Sequence, residues 1–314
     1  KLSEGMKYTT SDHFNRNIYR HLRFNYPTYI FSDLSFEIDE DGVPYWICPV
    51  KKYNIGLFGG TTIGRVVLCN AITGETKDYA VEDVPQWVDR VYSADLLVEL
   101  YNYHGTLKHG FFNSVLGQKD CLNTTDGYNY LAIDDDVWVY TGVTSITGDQ
   151  SNVGFVLMNQ RTMETKFYEI EGATERSAMS SAEGQVQNLH YMATFPLLLN
   201  ISGEPTYFIA LKDDAGLVKK YAMVNVQKYQ IVAIGDTVSE CEDSYTNLMY
   251  KNGIKTEAED TRSVETLTAK ITKIAQGVID GDSHYYIMLE GSDEIFDVSV
   301  VDFIDIIRFN VGDE

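Results

Sequence analysis

Between Val43 and Val232 one pattern recurs, and it restricts the fold more than any other feature of the chain. A strand carrying an aromatic residue leads to a loop. An apolar strand ending in Asn follows, then a polar turn and a further strand. The copies read VPYWICPV…GRVVLCNAITGETKDY (43–79), DVWVYTGV…GFVLMNQRTMETKFY (136–168) and PTYFIAL…KKYAMVNVQKYQIV (205–232). Asn70 and Asn159 lie 89 residues apart, and the same offset carries Glu75 to Glu164, Thr76 to Thr165, Lys77 to Lys166 and Tyr79 to Tyr168. Asn225 and Tyr229 keep the frame loosely in the third copy. Trp46, Trp138 and Phe208 precede the three Asn by 24, 21 and 17 residues, so the intervening loop shortens from copy to copy.

Short β-branched runs with alternation after the turn have the period of strands. Thr73-Gly74 supplies a residue free to take positive φ in the first copy. The second copy has Met163 at that place, which predicts a different turn. A hairpin cannot bury its apolar face alone, so each copy must pack on a helix or on another copy. Four longer helical segments are expected, besides a short amphipathic one through Phe111, Phe112, Val115 and Leu116 that would pin its crossover. Residues 11–25 place Phe14, Ile18 and Leu22 on one face, with Ser11 or Asp12 as cap. Val81–Glu99 carries a rough stripe with Pro85 near its start, and Trp87 reads as a core anchor. Glu175–Leu189 has the small stripe Ala178, Ala182 and Val186, and Val238–Met249 has Cys241, Tyr245, Leu248 and Met249. Gly253–Arg262 is polar and charged and reads as a linker.

Beyond the linker the pattern changes to short strands split by Asp280-Gly281, Gly291 and Asp302, closing with Phe303–Phe309. This predicts a small C-terminal β-barrel, OB-like or SH3-like. The expected fold is α+β: helix-on-antiparallel-sheet modules at 1–100, 101–192 and 193–252, then the barrel at 263–314.

Charge excludes several functions. The chain has 46 acidic and 25 basic residues, a net charge of -21. Nucleic acid needs a concentrated basic patch, so it is not an expected partner, even for the barrel aromatics Tyr285, Tyr286 and Phe296. No apolar run reaches 18 residues, so membrane insertion by this fragment is not expected. The start at Lys1-Leu2 fits a cut or processed chain with a tether N-terminal to residue 1. Cys48, Cys69, Cys121 and Cys241 form no CxxC motif. Cys48 and Cys69 sit inside predicted strands, either as neighbours joined by a disulfide or as small buried thiols.

No catalytic set assembles. Gly56, Gly59 and Gly60 make no phosphate loop, and Ser180 and Ser181 lack a nucleophile elbow. Asp134–Asp136 lacks the order of a calcium loop, and His104 and His109 lack further ligands. No cofactor and no metal is therefore expected. The apolar residues Ile55, Leu57 and Phe58 in the Asn54–Gly60 loop, then Trp87, Tyr101 and Tyr103, are the candidate contacts for a protein partner.

The units DGVPYWICPV…VVLCNAITGETKDY and GEPTYFIALKDDAGLVKKYAMVNVQKYQIV resemble PepSY modules. Tyr45, Trp46, Val67, Leu68, Thr73, Gly74 and Glu75 meet that family's aromatic strand, turn and apolar strand. The middle copy departs by lacking the Thr-Gly turn. The resemblance implies a helix against a sheet of three or four antiparallel strands, a place outside the cytoplasm, and binding of other proteins without catalytic residues. The whole chain looks like the soluble part of a Firmicute membrane protein. The leading expectation is a non-enzymatic extracytoplasmic module that binds or scaffolds an envelope protein. The alternatives are an envelope hydrolase using carboxylates such as Asp134–Asp136 or Glu183, and a phage or cell-surface structural component.

Overall fold

The computed structural model describes residues 4–55, 59–146, 151–254, 267–279, 282–300 and 303–314. The chain divides into two compact units, residues 1–256 and 257–314. The first unit is a stack in which helices and antiparallel sheets alternate.

Helix α1 (Ile18–Asn25) comes first. Asn17, not Ser11 or Asp12, is its cap: the Asn17 Oδ1 accepts from the Arg20 N–H at 3.1 Å. Phe14 lies before the cap in a separate turn and is exposed, so only Ile18 and Leu22 of the expected stripe are buried. Strands β1 (Ser35–Ile38), β2 (Pro44–Tyr53), β3 (Thr61–Asn70) and β4 (Thr76–Ala80) form the first sheet in sequential order. Alternation gives it two faces. Cys48, Val50, Val67 and Cys69 pack on α1. Ile47, Ile63, Val66 and Leu68 face the next helix.

That helix is α2 (Ala94–Leu107). The predicted helix from Val81 starts late. Residues 84–93 run irregularly beneath the first sheet, and Ser93 opens α2 by accepting from the Leu96 N–H. The second sheet holds β5 (Leu122–Thr124), β6 (Asn129–Ile133), β7 (Asp136–Ser145), β8 (Ser151–Asn159), β9 (Thr165–Tyr168) and β10 (Gly172–Ala173). Strands β5 and β6 pair with β7 at one side, and β9 and β10 pair with β8 at the other. Val139, Val143, Val156 and Met158 join the core around α2. Trp138, Tyr140, Phe155 and Leu157 face helix α3 (Glu175–Gln185).

The small stripe of α3 is buried as its spacing predicts, with Ala178 and Ala182 in a shared core between the second and third sheets. The third sheet contains β11 (Met192–Ala193), β12 (Leu197–Ile201), β13 (Glu204–Lys212), β14 (Val218–Asn225) and β15 (Val232–Gly235). Helix α4 (Val238–Lys251), opened by a capping box between Thr237 and Glu240, covers its outer face through Cys241, Tyr245 and Met249. The order is therefore α1, sheet, α2, sheet, α3, sheet, α4, which is α+β with every helix serving a sheet face.

The repeat frame has a physical basis. Each Asn ends a strand and accepts two backbone N–H groups of the following turn: Ile72 and Thr73 on Asn70, Arg161 and Thr162 on Asn159, Gln227 and Lys228 on Asn225. The strand registers set Tyr45, Trp138 and Thr206 opposite these Asn, so the alignment of Trp46 and Phe208 with Trp138 does not hold. Trp46 points to the α1 side instead. The turn after Asn159 also differs from expectation. Met163 takes φ 63° and donates its N–H to Asn159, as Gly74 at φ 78° donates to Asn70. The turn is the same, at the expense of left-handed backbone in a residue with a side chain.

Residues 257–314 correct the barrel. Strands β16 (Ile271–Ile279), β17 (Asp282–Leu289) and β18 (Ile295–Ser299) make an open three-stranded sheet in that order. Among the described residues no sheet closes into a barrel. The expected closing strand is a 3-10 turn, Ile304–Arg308, which tucks Ile306 against Ile271 and Ile287. Ile-Asp-Ile-Ile does not alternate cleanly, so packing a single Ile into the sheet wins over pairing. Gly312 and Asp313 hydrogen-bond β16 at Ile271. The predicted linker beyond Ile254 and the Asp280-Gly281 turn lie outside the described residues.

Candidate binding groove

Helix α2 does not lie centrally on the second sheet. Gly105 brings it down on β5: a Cβ there would meet the Leu122 carbonyl oxygen at 2.3 Å. Asn102 exchanges two hydrogen bonds with Thr124, accepting from its N–H at 2.8 Å and donating to its Oγ1 at 3.1 Å. Thr106 Oγ1 donates to Asn123 Oδ1 at 2.9 Å. These contacts fasten α2 to the β5 side. The β9 side of the same face is left uncovered, and a groove of about 580 Å³ opens there. Leu97, Leu100 and Tyr101 of α2 form one wall, and Met158, Met163 and Phe167 form the other. Thr165, His104 and Lys108 are its polar lining. The size falls in the usual range for ligand sites, and the lining is mainly apolar.

On the corresponding face of the first layer this place is filled. The registers make Thr76 the counterpart of Thr165, and Asp78 that of Phe167. In the first layer the segment after α1 covers them. Tyr26 donates its hydroxyl to Thr76 Oγ1 at 3.2 Å, and Tyr29 donates to Asp78 Oδ2 at 2.8 Å. Tyr26, Tyr29 and Phe31 pack together as an aromatic plug. In the third layer Val232 and Ile234 of β15 pack into the core around α3. After α2 the chain turns away instead, through a π-helical turn at Asn113–Gly117. That turn leaves Phe112 78% and Leu116 82% exposed, beside exposed Leu107, Phe111 and Val115. Residues 100–119 contain two Lys and two His and no acidic residue, in a chain of net charge -21.

The sequence-predicted contacts do not converge. Tyr101 lines the groove, where burial raises its hydroxyl pKa. Tyr103 is on the exposed side of α2 and donates to Glu99 at 2.9 Å. Trp87 packs against Tyr45 beneath the first sheet, with ring centroids 5.1 Å apart and the planes tilted by 41°. Ile55 is exposed at the foot of the β2–β3 hairpin, and Leu57 and Phe58 lie outside the described residues. Met163, Phe167, Leu100 and Lys108 were missed. The frame held a signal for two of them: the offset of 89 turns Gly74 into Met163 and Asp78 into Phe167, apolar groups at surface positions.

Of the carboxylates weighed for catalysis, Asp136 and Glu183 are engaged in other contacts. Asp136 is held by Arg161 through a bidentate pair of 2.8 and 2.7 Å, which keeps its pKa low. Glu183 accepts from the Ala193 N–H. Glu175 is buried at the start of α3, with its pKa raised by burial and with Thr125 and Asn152 on one oxygen. Among the described residues no group of three or more His, Cys, Asp or Glu could hold a metal. All four cysteines are buried free thiols; burial pushes the Cys69 thiol to about 12.

Compared with known proteins, the chain matches no family model, no curated sequence and no solved structure.

Proposed function

We propose that this chain is a non-enzymatic binding scaffold of the cell envelope. In this reading PepSY-like layers form a rigid stack outside the cytoplasm, anchored through a part outside residues 1–314, and an envelope protein docks in the α2–β9 groove. The observation that carries it is the groove: an apolar opening where the corresponding face of the first layer is plugged. An uncovered apolar surface of this kind marks a recognition site. Among the described residues no helix is long and apolar enough to cross a membrane, which fits anchoring elsewhere. The test is capture from a Gram-positive envelope extract with the 1–314 chain as bait, beside the variant Phe167→Asp. Capture of one protein that the variant loses supports the scaffold reading. Capture that the variant retains, or an activity on an envelope polymer in the same extract, argues against it.

A further inference from the structure

We propose that the α2–β9 groove takes an acidic, turn-forming peptide segment bearing aromatic side chains, seated as Tyr26–Phe31 are seated in the first layer. This rests on the reading of the groove as a binding site and adds the chemistry of its occupant.

The first layer is the guide. There the chain supplies its own plug, and the plug is a short run, YPTYIF, whose first four residues form a turn closed by the Tyr29 N–H on the Tyr26 carbonyl, with rings at its first, fourth and sixth places. One tyrosine hydroxyl reaches the Thr of β4, and another reaches the Asp two residues on. The second layer keeps the Thr and changes the Asp. Thr165 Oγ1 donates to the Met163 carbonyl and retains an acceptor lone pair for a phenol. Phe167 in place of Asp78 has no use for a hydroxyl and offers a ring face or edge instead. The occupant therefore places a Tyr-like group at Thr165 and an unsubstituted aromatic or aliphatic group on Phe167.

Charge sets the rest. Lys108 and His104 line the groove at the C-terminal end of α2. Lys119 lies in the same acid-free stretch, and His109 is 3.9 Å from the Asp120 carboxylate that ends it. A protein of net charge -21 repels acidic partners in general, so an acid-free wall at an apolar opening lets acidic segments approach the groove. The exposed Phe111, Phe112 and Leu116 follow directly in the chain and extend the apolar surface an aromatic peptide could use.

The test uses the full 1–314 chain and three labelled peptides. One copies residues 26–31, with Phe in the fourth place to meet Phe167, between two pairs of aspartates, one has lysines at those flanks, and one has its three rings replaced by serine. Binding is read by fluorescence anisotropy. The aspartate-flanked peptide should bind about 10-fold or more tighter than the lysine-flanked one, and the serine peptide should not bind. Phe167→Asp should abolish binding, and Lys108→Glu should reverse the flank preference. Both positions are at the surface, and unchanged melting curves would verify their folding. Failure of all three peptides, equal binding of both flanked forms, or binding indifferent to Phe167→Asp overturns the proposal. So does Phe167-dependent sedimentation with phosphatidylglycerol vesicles in the absence of peptide binding, which would make a lipid surface the occupant. If the envelope capture succeeds while every peptide fails, the peptide chemistry falls and the scaffold reading stands. If both fail, the groove is no binding site.

Discussion

Replacing Glu175 with Gln should stabilise the chain at neutral pH and should do so by an amount that grows with pH. Glu175 is the first residue of α3 and 1% exposed. Its Oε2 accepts from Thr125 Oγ1 at 2.9 Å and from Asn152 Nδ2 at 3.4 Å, while Oε1 has no partner. No cation is among these contacts. The helix N-terminus favours a negative charge by roughly 0.3–1 kcal/mol, up to about 2 when partly buried. A buried oxygen without a protein partner costs about 1–3 kcal/mol, and more when charged. Burial wins, and it raises the carboxyl pKa above its ordinary 4.5. The sign follows by linkage. Below pH 4.5 both folded and unfolded chains hold the proton and the site costs nothing. As pH rises from there to the folded-state pKa, the unfolded chain ionises first, and stability falls by at most about 1.4 kcal/mol per pH unit. Above the folded pKa the loss is constant. The amide cannot ionise, so the stability of Glu175→Gln relative to wild type should climb through this window and then level off. Urea unfolding at a series of pH values from 4 to 8 would measure it. A difference that stays flat with pH, or that moves in favour of the wild type as pH rises, would refute the burial argument and mean that the ionised carboxylate is well solvated by the fold.

The other consequences concern the turns and the placement of α2. At Met163, with φ 63°, substitution by Gly relieves the backbone and substitution by Ala does not, so Met163→Gly should be more stable than Met163→Ala by about 1 kcal/mol in chemical denaturation; an Ala variant as stable as Gly would contradict the shared turn. Asn159→Ala removes two acceptor contacts in its turn and a 2.9 Å donation to Asp136, and should cost about 2 kcal/mol or more; a loss under half of that would deny the frame its role. Gly105→Ala drives a Cβ into the Leu122 carbonyl, and should cost about 1–3 kcal/mol and loosen hydrogen exchange along β5; no change would mean that α2 is not held there.

The repeat was legible because it rests on a local device. An Asn that accepts two N–H groups of its own turn needs only neighbouring residues, so Asn70, Asn159 and Asn225 stand out in the sequence. Met163 was misread since glycine preference is a tendency, and Asn159 holds its turn with either residue. The stripe of α3 was legible through its spacing. The start of α2 was not: Asp83 and Pro85 look like a helix opening, but Val84, Val88 and Val91 are buried beneath the first sheet in irregular backbone. The barrel was inferred from the number of short strands, whereas closure depends on whether the last segment pairs or packs, and Ile306 packs. The groove was hidden for a similar reason. It exists because Gly105, Asn102 and Thr106 draw α2 toward β5, and those contacts join residues whose pairing no local pattern announces.

Photocrosslinking tests the account most directly. Phe167 and Tyr168 are adjacent exposed residues of β9 on opposite faces of the second sheet, and only Phe167 lines the groove. A benzophenone side chain placed at 167 in the 1–314 chain should form an adduct with an envelope protein, and the same group at 168 should not. Equal labelling from both positions, or labelling from 168 alone, would contradict the claim that the partner docks between α2 and β9.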